Sequence, residues 1–170
     1  WAAKQLQMSI KWVASRSDEF TAGMHGRGAQ LSGSLSLDSK GLFSRLEARV
    51  QFPLGAWLPY SAVVPMRNAT RILPGPYRVK QVDVQGKAIQ SNAAAVNIYR
   101  GAGRPEAALL MERLVERAAR AAGIDPVELR LRNLIAAQDM PYKTPTGEVF
   151  DAGDYAQVLR QACEQLGYEA

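Results

Sequence analysis

The stretch that decides the fold is the octet at residues 99–106, which reads Tyr99-Arg100-Gly101-Ala102-Gly103-Arg104-Pro105-Glu106. Strand-like sequence precedes the octet and helix-like sequence follows it, so it predicts a glycine-rich turn from a strand into a helix. Pro105 at the first helical position and Glu106 in the first turn both favour that helix start. Because strands come first along the chain and helices follow, we predict an α+β fold.

Before the octet, alternating apolar residues predict a β-hairpin whose strands span residues 31–37 and 42–52, with turn-forming residues at 38–41. Prolines interrupt residues 53–76, so we predict an irregular connection apart from a short helix at 64–72. A connection of this length is usually functional or packs against another domain. Further strands are predicted at residues 9–13, 77–80, 82–84 and 96–99.

After the octet, three helices are predicted. The first begins at Pro105 and ends at Gly123. Its predicted buried stripe is Leu110, Leu114, Ala118 and Ala121. The second helix begins after the N-cap Asp125 and ends near Asn133.

The last predicted helix begins near residues 151–154 and ends before Gly167. Its apolar face is predicted to consist of Val158, Leu159, Ala162, Cys163 and Leu166. We therefore expect Cys163 to be a core residue rather than a nucleophile.

Composition narrows the classes of function. The chain has 170 residues, a net charge of +5 and a single cysteine, which excludes an internal disulfide and a multi-cysteine metal site within it. Basic and acidic residues share a face of the first predicted helix, which indicates a solvated surface: Arg113, Arg117, Arg120, Glu112 and Glu116. The basic residues lack interleaved aromatics, so no nucleic-acid partner is expected. No stretch is long and apolar enough for a membrane span.

The octet is also the stretch that could carry chemistry. Its glycines would let the backbone approach a ligand, and N–H groups at the helix start favour anionic or oxo groups. Arg100 and Arg104 add positive charge, which together predicts a cradle for a phosphate, carboxylate or metal-oxo group. It is not a dinucleotide fingerprint, because the third glycine is missing. A plain turn with solvent-facing arginines is the competing interpretation.

Other candidate residues carry weaker signals. His25 is the only histidine, and a lone histidine in a loop is more often structural or solvated than catalytic. Asp18 and Glu19 are expected at the surface or in a helix cap. Arg67 and Arg71 could contact a substrate or face solvent.

The first six residues of the octet resemble the A-Y-R-G-A-G-R signature of the cysteine-less class of carbon monoxide dehydrogenase-like large subunits. These proteins belong to the xanthine dehydrogenase and aldehyde oxidase superfamily of molybdenum hydroxylases. The resemblance runs in the expected order along essentially the whole chain. Further matching segments lie at residues 10–12, 16–20, 25–27, 73–78, 123–126, 129–133 and 144–148.

The resemblance implies that residues 1–170 are an internal fragment of a molybdenum-cofactor-binding domain, β-rich at 8–99 and helical at 104–170. The implied activity is that of an oxidoreductase that hydroxylates an aldehyde, a heterocycle or a similar substrate with oxygen from water. The implied cofactor-binding residues are Tyr99, Arg100, Gly101, Ala102, Gly103 and Arg104. A catalytic base glutamate is expected after the last residue, and a further glycine-rich loop before the first. The alternative is a noncatalytic protein-interaction module that retains the scaffold.

The same resemblance implies cofactors and partners. The cofactor would be molybdopterin with molybdenum, usually as the cytosine dinucleotide in bacteria. FAD and 2Fe–2S clusters would lie on a medium and a small partner subunit, in a dimer of heterotrimers. We expect a cytoplasmic enzyme with no membrane partner, and a single cysteine is compatible with a reducing compartment.

Two positions depart from other branches of the superfamily. In carbon monoxide dehydrogenases proper, the position of Gly101 is a cysteine that holds copper, so no molybdenum–copper site is expected here. In xanthine-type enzymes, the position of Ala102 is a phenylalanine that packs on an aromatic substrate. Because that aromatic wall is absent, the sequence leaves the substrate open.

Overall fold

The computed structural model describes residues 1–168, and within them the predicted α+β class is confirmed. The helices are α1 (Ala2–Leu6), α2 (Arg16–Ala22), α3 (Val64–Ile72), α4 (Arg104–Ala122), α5 (Pro126–Asn133) and α6 (Tyr155–Leu166). The strands are β1 (Gln30–Leu37), β2 (Phe43–Gly55), β3 (Gln81–Gln90), β4 (Tyr142–Lys143) and β5 (Val149–Phe150). No described helix is long and apolar enough to cross a lipid bilayer.

A three-stranded sheet with β2 at its centre forms the middle of the fold. β1 pairs with β2 in the antiparallel direction, with Leu35 opposite Leu46, so the predicted hairpin is confirmed. β3 pairs with β2 in the parallel direction, which requires a crossover connection. The helix predicted at residues 64–72 is confirmed as α3, the helix of this crossover. The apolar residues of β2 alternate into the core: Leu46, Ala48, Val50 and Phe52.

Helix α4 packs against β1, α3 and α5. It begins one residue before the predicted Pro105 and ends, as predicted, at the C-cap Gly123. Leu110 and Leu114 are buried, as predicted, but Ala121 is exposed, so the prediction is wrong at that residue. The stripe instead ends at Ala119, one helical turn after Val115, because the final turn of the helix faces solvent.

The amino-terminal segment, residues 1–24, differs most from the prediction. The strand predicted at residues 9–13 is wrong, because no strand of the described chain lies beside it to complete its backbone hydrogen bonds. Helices α1 and α2 flank it, and neither contains a buried residue. Ser15 and Asp18 form a capping box at the start of α2, which confirms the capping role expected of Asp18.

Three of the further predicted strands gave mixed results. β3 includes the predicted strand at residues 82–84 and continues to Gln90. Residues 77–80 and 96–99 are not strands, so those predictions are wrong. Each makes a single isolated bridge, Tyr77 to Leu134 and Val96 to His25, rather than the repeated ladder of a strand.

Helices α5 and α6 confirm their predicted bounds but not the predicted burial of Cys163. The N-cap Asp125 accepts two backbone hydrogen bonds at the start of α5, as expected. α6 lies at the periphery, where Val158 and Leu166 are 65% and 83% exposed. Cys163 is only half-buried, because few described residues pack on this helix, so its assignment to the core is corrected.

Candidate cofactor-binding site

The glycine loop, residues 99–104, turns the chain sharply into α4. The N–H of Ala102 donates a hydrogen bond to the carbonyl of Tyr99 at 2.8 Å, which closes the turn. The φ angles of Gly101, Ala102 and Gly103 are 93°, 40° and 90°. All three lie in the left-handed region, which residues with side chains rarely adopt. The turn therefore needs glycine at two of these three positions, Gly101 and Gly103.

Close contacts also fix the glycine loop. A Cβ atom on Gly103 would lie 1.9 Å from the carbonyl oxygen of Pro65, in the first turn of α3. A Cβ atom on Gly101 would lie 2.8 Å from Cγ of Pro105. Both distances are far shorter than van der Waals contact. The loop is therefore packed against α3 on one side and against the start of its own helix on the other.

The side chain of Arg27 contacts both the glycine loop and the first turn of α4. Its Nη2 donates a hydrogen bond to the backbone carbonyl of Arg100, and its Nη1 lies 3.2 Å from Oε1 of Glu106. Its guanidinium carbon also lies over the ring of Tyr99, 4.5 Å from the ring centroid. One cation therefore contacts the glycine loop twice and the first turn of α4 once.

Sequence reasoning did not identify Arg27 and Glu106 as a pair, because they lie 79 residues apart in the chain. A weak signal was present in the glycines on either side of Arg27. A Cβ atom on Gly26 would lie 3.0 Å from Cβ of Tyr99, so glycine allows this segment to approach the loop.

The start of α4 offers fewer free donors than the sequence predicted. The N–H of Arg104 donates to the carbonyl of Gly101 at 3.0 Å, and Pro105 has no N–H. The carboxylate of Glu106 is buried near this end, where the helix dipole favours a negative charge. The helix terminus is therefore already partly satisfied by groups of the chain itself.

The glycine loop nevertheless presents donors and positive charge to solvent. Arg100 and Arg104 are exposed, and Gly101 and Ala102 are partly exposed. Within residues 1–168, no group accepts a hydrogen bond from the backbone N–H of Arg100 or Gly101. Unpaired amides in a loop that also carries two exposed arginines can bind the oxygen atoms of an anionic or metal-oxo group. The residues thus fit the kind of ligand that the sequence predicted.

An apolar cavity of about 260 Å³ lies beside Arg104. Met111 of α4 lines one side, and Leu73 and Pro74, which follow α3, line another. Phe150 of β5 also lines the cavity. Such a cavity can hold a small apolar group, but it has few polar groups with which to orient one.

The other sequence candidates serve structural roles or face solvent. Arg71 forms an ion pair with Glu148 at 2.8 Å, and Arg67 is exposed. His25 is exposed, and its backbone forms the bridge to Val96, in line with the structural or solvated interpretation. In the described part of the chain, no group of three or more His, Cys, Asp and Glu residues could hold a metal ion.

Comparison with protein families gives the decisive observation. The model of the molybdopterin cofactor-binding domain matches residues 1–134, which include the glycine loop, Arg27, α3 and α4. The chain belongs to this family. Within the molybdopterin cofactor-binding domain family, the resemblance to large subunits of molybdenum hydroxylases is confirmed by individual relatives.

The chain is 30% identical to the 6-hydroxypseudooxynicotine dehydrogenase complex subunit gamma of Paenarthrobacter nicotinovorans, over 99% of the chain and 22% of that protein. It is 27% identical to the carbon monoxide dehydrogenase large chain of Hydrogenophaga pseudoflava, over 95% of the chain and 20% of that protein. Its fold matches the crystal structure of quinoline 2-oxidoreductase from Pseudomonas putida 86 with a TM-score of 0.92 and 27% identity, over 98% of the chain and 21% of that structure. The chain thus spans about a fifth of the length of these relatives.

Proposed function

We propose that this chain is part of the molybdopterin-binding large subunit of a molybdenum hydroxylase, and that the glycine loop faces the molybdenum cofactor. The observation that carries the proposal is the pair of unpaired backbone amides at Arg100 and Gly101, in a loop whose left-handed backbone is packed in place. When bound, the cofactor supplies the redox chemistry that hydroxylates a carbon atom with oxygen from water.

Five residues of the glycine loop have roles that the geometry supports. The amides of Arg100 and Gly101 would donate hydrogen bonds to the cofactor, and the side chains of Arg100 and Arg104 would balance its negative charge. Gly103 keeps the loop against α3, and the ring of Tyr99 contacts the guanidinium of Arg27. The loop therefore binds and orients, and a base that moves protons would lie elsewhere in a longer protein.

The proposed substrate is an aldehyde, a heterocycle or a similar electrophilic carbon compound. Quinoline 2-oxidoreductase, a structure with the same fold, is named for a heterocycle. The methyl side chain of Ala102 is too small to form an aromatic wall, so substrates that are not flat aromatic rings are also admitted. We also propose that residues 1–170 belong to one cofactor-binding domain.

We also propose the cytosine dinucleotide form of molybdopterin, with a flavin subunit and an iron–sulfur subunit as partners. The description of one relative as the gamma subunit of a dehydrogenase complex supports a multi-subunit assembly. The assembly would be a cytoplasmic dimer of heterotrimers, in which electrons leave the cofactor through the iron–sulfur clusters to the flavin.

Metal and nucleotide analysis of the full-length protein, purified from its native host with its copurifying subunits, tests this proposal. We expect stoichiometric molybdenum, release of a cytosine nucleotide on acid treatment, and the visible absorbance of flavin and iron–sulfur clusters. A folded protein with neither molybdenum nor pterin would contradict the proposal and favour the noncatalytic interaction module.

A further inference from the structure

We propose that Arg27 is a positioning residue that holds the peptide group between Arg100 and Gly101 in its cofactor-facing orientation. The inference rests on the proposed function of the glycine loop, and it adds a residue that lies outside that loop. It follows from the three contacts of the Arg27 side chain, with Arg100, Tyr99 and Glu106.

The decisive contact is the hydrogen bond from Arg27 to the carbonyl oxygen of Arg100. This carbonyl belongs to the same peptide group as the N–H of Gly101. Because the peptide is planar and trans, its C=O and N–H point in opposite directions. A carbonyl fixed toward Arg27 therefore directs the Gly101 N–H away from Arg27. A charged donor on the carbonyl also polarises the peptide, which makes its N–H a stronger donor.

Glu106 anchors the guanidinium that makes this bond. Its side chain is only 11% exposed, whereas that of Arg27 is 37% exposed. Its Oε2 is buried, and no described residue hydrogen-bonds to it, so the carboxylate depends on Arg27 for charge compensation. The buried partner thus fixes the position of the more exposed one.

The geometry requires arginine in particular. Two nitrogens of one planar group reach Glu106 and Arg100 separately, while the central carbon of the same group lies 4.5 Å from the centroid of the Tyr99 ring. Lysine has a single charged nitrogen and no planar face, so it cannot make all three contacts. Arg27 also has a φ of 57°, an uncommon conformation that is typical of functionally constrained positions.

The test compares variants of the full-length, assembled enzyme. Arg27→Lys keeps the positive charge but removes the planar guanidinium group with its separate nitrogen donors. Arg27→Met combined with Glu106→Gln removes the contacts without leaving a buried charge unpaired. Arg49→Lys is the matched control, because the Arg49 side chain is about as exposed as that of Arg27 and forms an ion pair with Asp83 at 3.0 Å, away from the glycine loop.

Three quantities are measured: hydrogen exchange of the Ala102 and Arg104 amides, bound molybdenum, and the Mo(V) electron paramagnetic resonance spectrum. For Arg27→Lys we expect about tenfold faster exchange, less molybdenum and an altered spectrum, with none of these changes in Arg49→Lys. In the double variant, thermal stability should recover relative to Arg27→Met alone, while exchange stays fast.

The outcomes separate this inference from the function on which it rests. Unchanged exchange in Arg27→Lys would overturn the positioning role, whatever the molybdenum content. Faster exchange with wild-type molybdenum and spectrum would show that the contact is structural only, and would also overturn it. A wild-type enzyme without molybdenum would overturn the proposed function, and with it the cofactor-facing role of Arg27.

Discussion

Gly103 and Pro65 meet backbone to backbone: a Cβ atom on Gly103 would lie 1.9 Å from the carbonyl oxygen of Pro65. Gly103 is the N-cap of α4, and Pro65 lies in the first turn of α3. The contact therefore brings the starts of two helices together at the glycine loop. The contact holds the glycine loop against α3, the helix that connects β2 to β3.

We expect Gly103→Ala to destabilise the protein far more than Gly75→Ala. Gly75 has a similar positive φ of 74°, but nothing lies within 4 Å of its added Cβ. Gly75→Ala should therefore cost about 1 kcal/mol of unfolding free energy, from backbone strain alone. Gly103→Ala adds a steric clash and should cost about 3 kcal/mol or more. Urea unfolding measures both, and equal losses would show that the contact with Pro65 can relax.

Ala102 should tolerate glycine better than an alanine in a helix does. Its φ of 40° is strained for alanine, so Ala102→Gly relieves strain while it increases the entropy of the unfolded chain. We expect the unfolding free energy to stay within about 0.5 kcal/mol of wild type. Ala121→Gly, at an exposed position in α4, should lower it by about 1 kcal/mol. Equal destabilisation by the two changes, measured by thermal unfolding, would contradict the left-handed assignment.

Asn133 should be the polar side chain on which the core depends most. It is 2% exposed, accepts a hydrogen bond from the N–H of Phe43 at 2.7 Å, and donates to the carbonyls of Gly41 and Leu129 at 2.9 Å. Asn133→Ala leaves the buried N–H of Phe43 and the carbonyl of Gly41 without their partner, so we expect a loss of about 3 kcal/mol in chemical denaturation. Asn92 is exposed, so Asn92→Ala serves as the control. An equally small loss of unfolding free energy in both variants would argue against the role of the Asn133 hydrogen bonds.

Asp125 should titrate at an unusually low pH. Its pKa is lowered below the ordinary value of an aspartate, first by the hydrogen bond from Tyr168 and then by the backbone N–H of Glu128. A carboxyl group with a lowered pKa stabilises the folded state above its unfolded pKa, and that contribution is lost as pH falls through the folded pKa. Tyr168→Phe should therefore raise the pKa of Asp125 in an NMR titration. Asp38, whose pKa is lowered chiefly by the N–H of Leu42, should not change.

The assembled enzyme should contain molybdenum but no copper. Copper(I) needs a soft ligand such as a thiolate, and Gly101 supplies none. Carbon monoxide oxidation should therefore be slow or absent. Elemental analysis after incubation with copper(I), together with a carbon monoxide assay, checks this expectation. Stoichiometric copper with rapid turnover would refute it.

Local sequence determined the elements that depend on short-range physics. The hairpin of β1 and β2 follows from alternation around a turn, and α3 lies at residues 64–72, where a short helix was predicted. The starts of α4 and α5 follow from Pro105 and from the cap residue Asp125. The turn at residues 99–104 was also foreseen, because glycine tolerates a positive φ that other residues resist.

Tertiary structure decided whatever depends on residues far apart in the chain. The apolar alternation at residues 9–13 did not make a strand, because a strand needs a neighbour that no local pattern supplies. The half-buried position of Cys163 has a similar cause. The amphipathic pattern of α6 indicates which face is apolar, but not which residues of the fold cover that face. The contact between Arg27 and Glu106, 79 residues apart, also arises only when the chain folds. Periodicity fixes conformation within an element, whereas contacts between elements depend on the three-dimensional packing that brings them together.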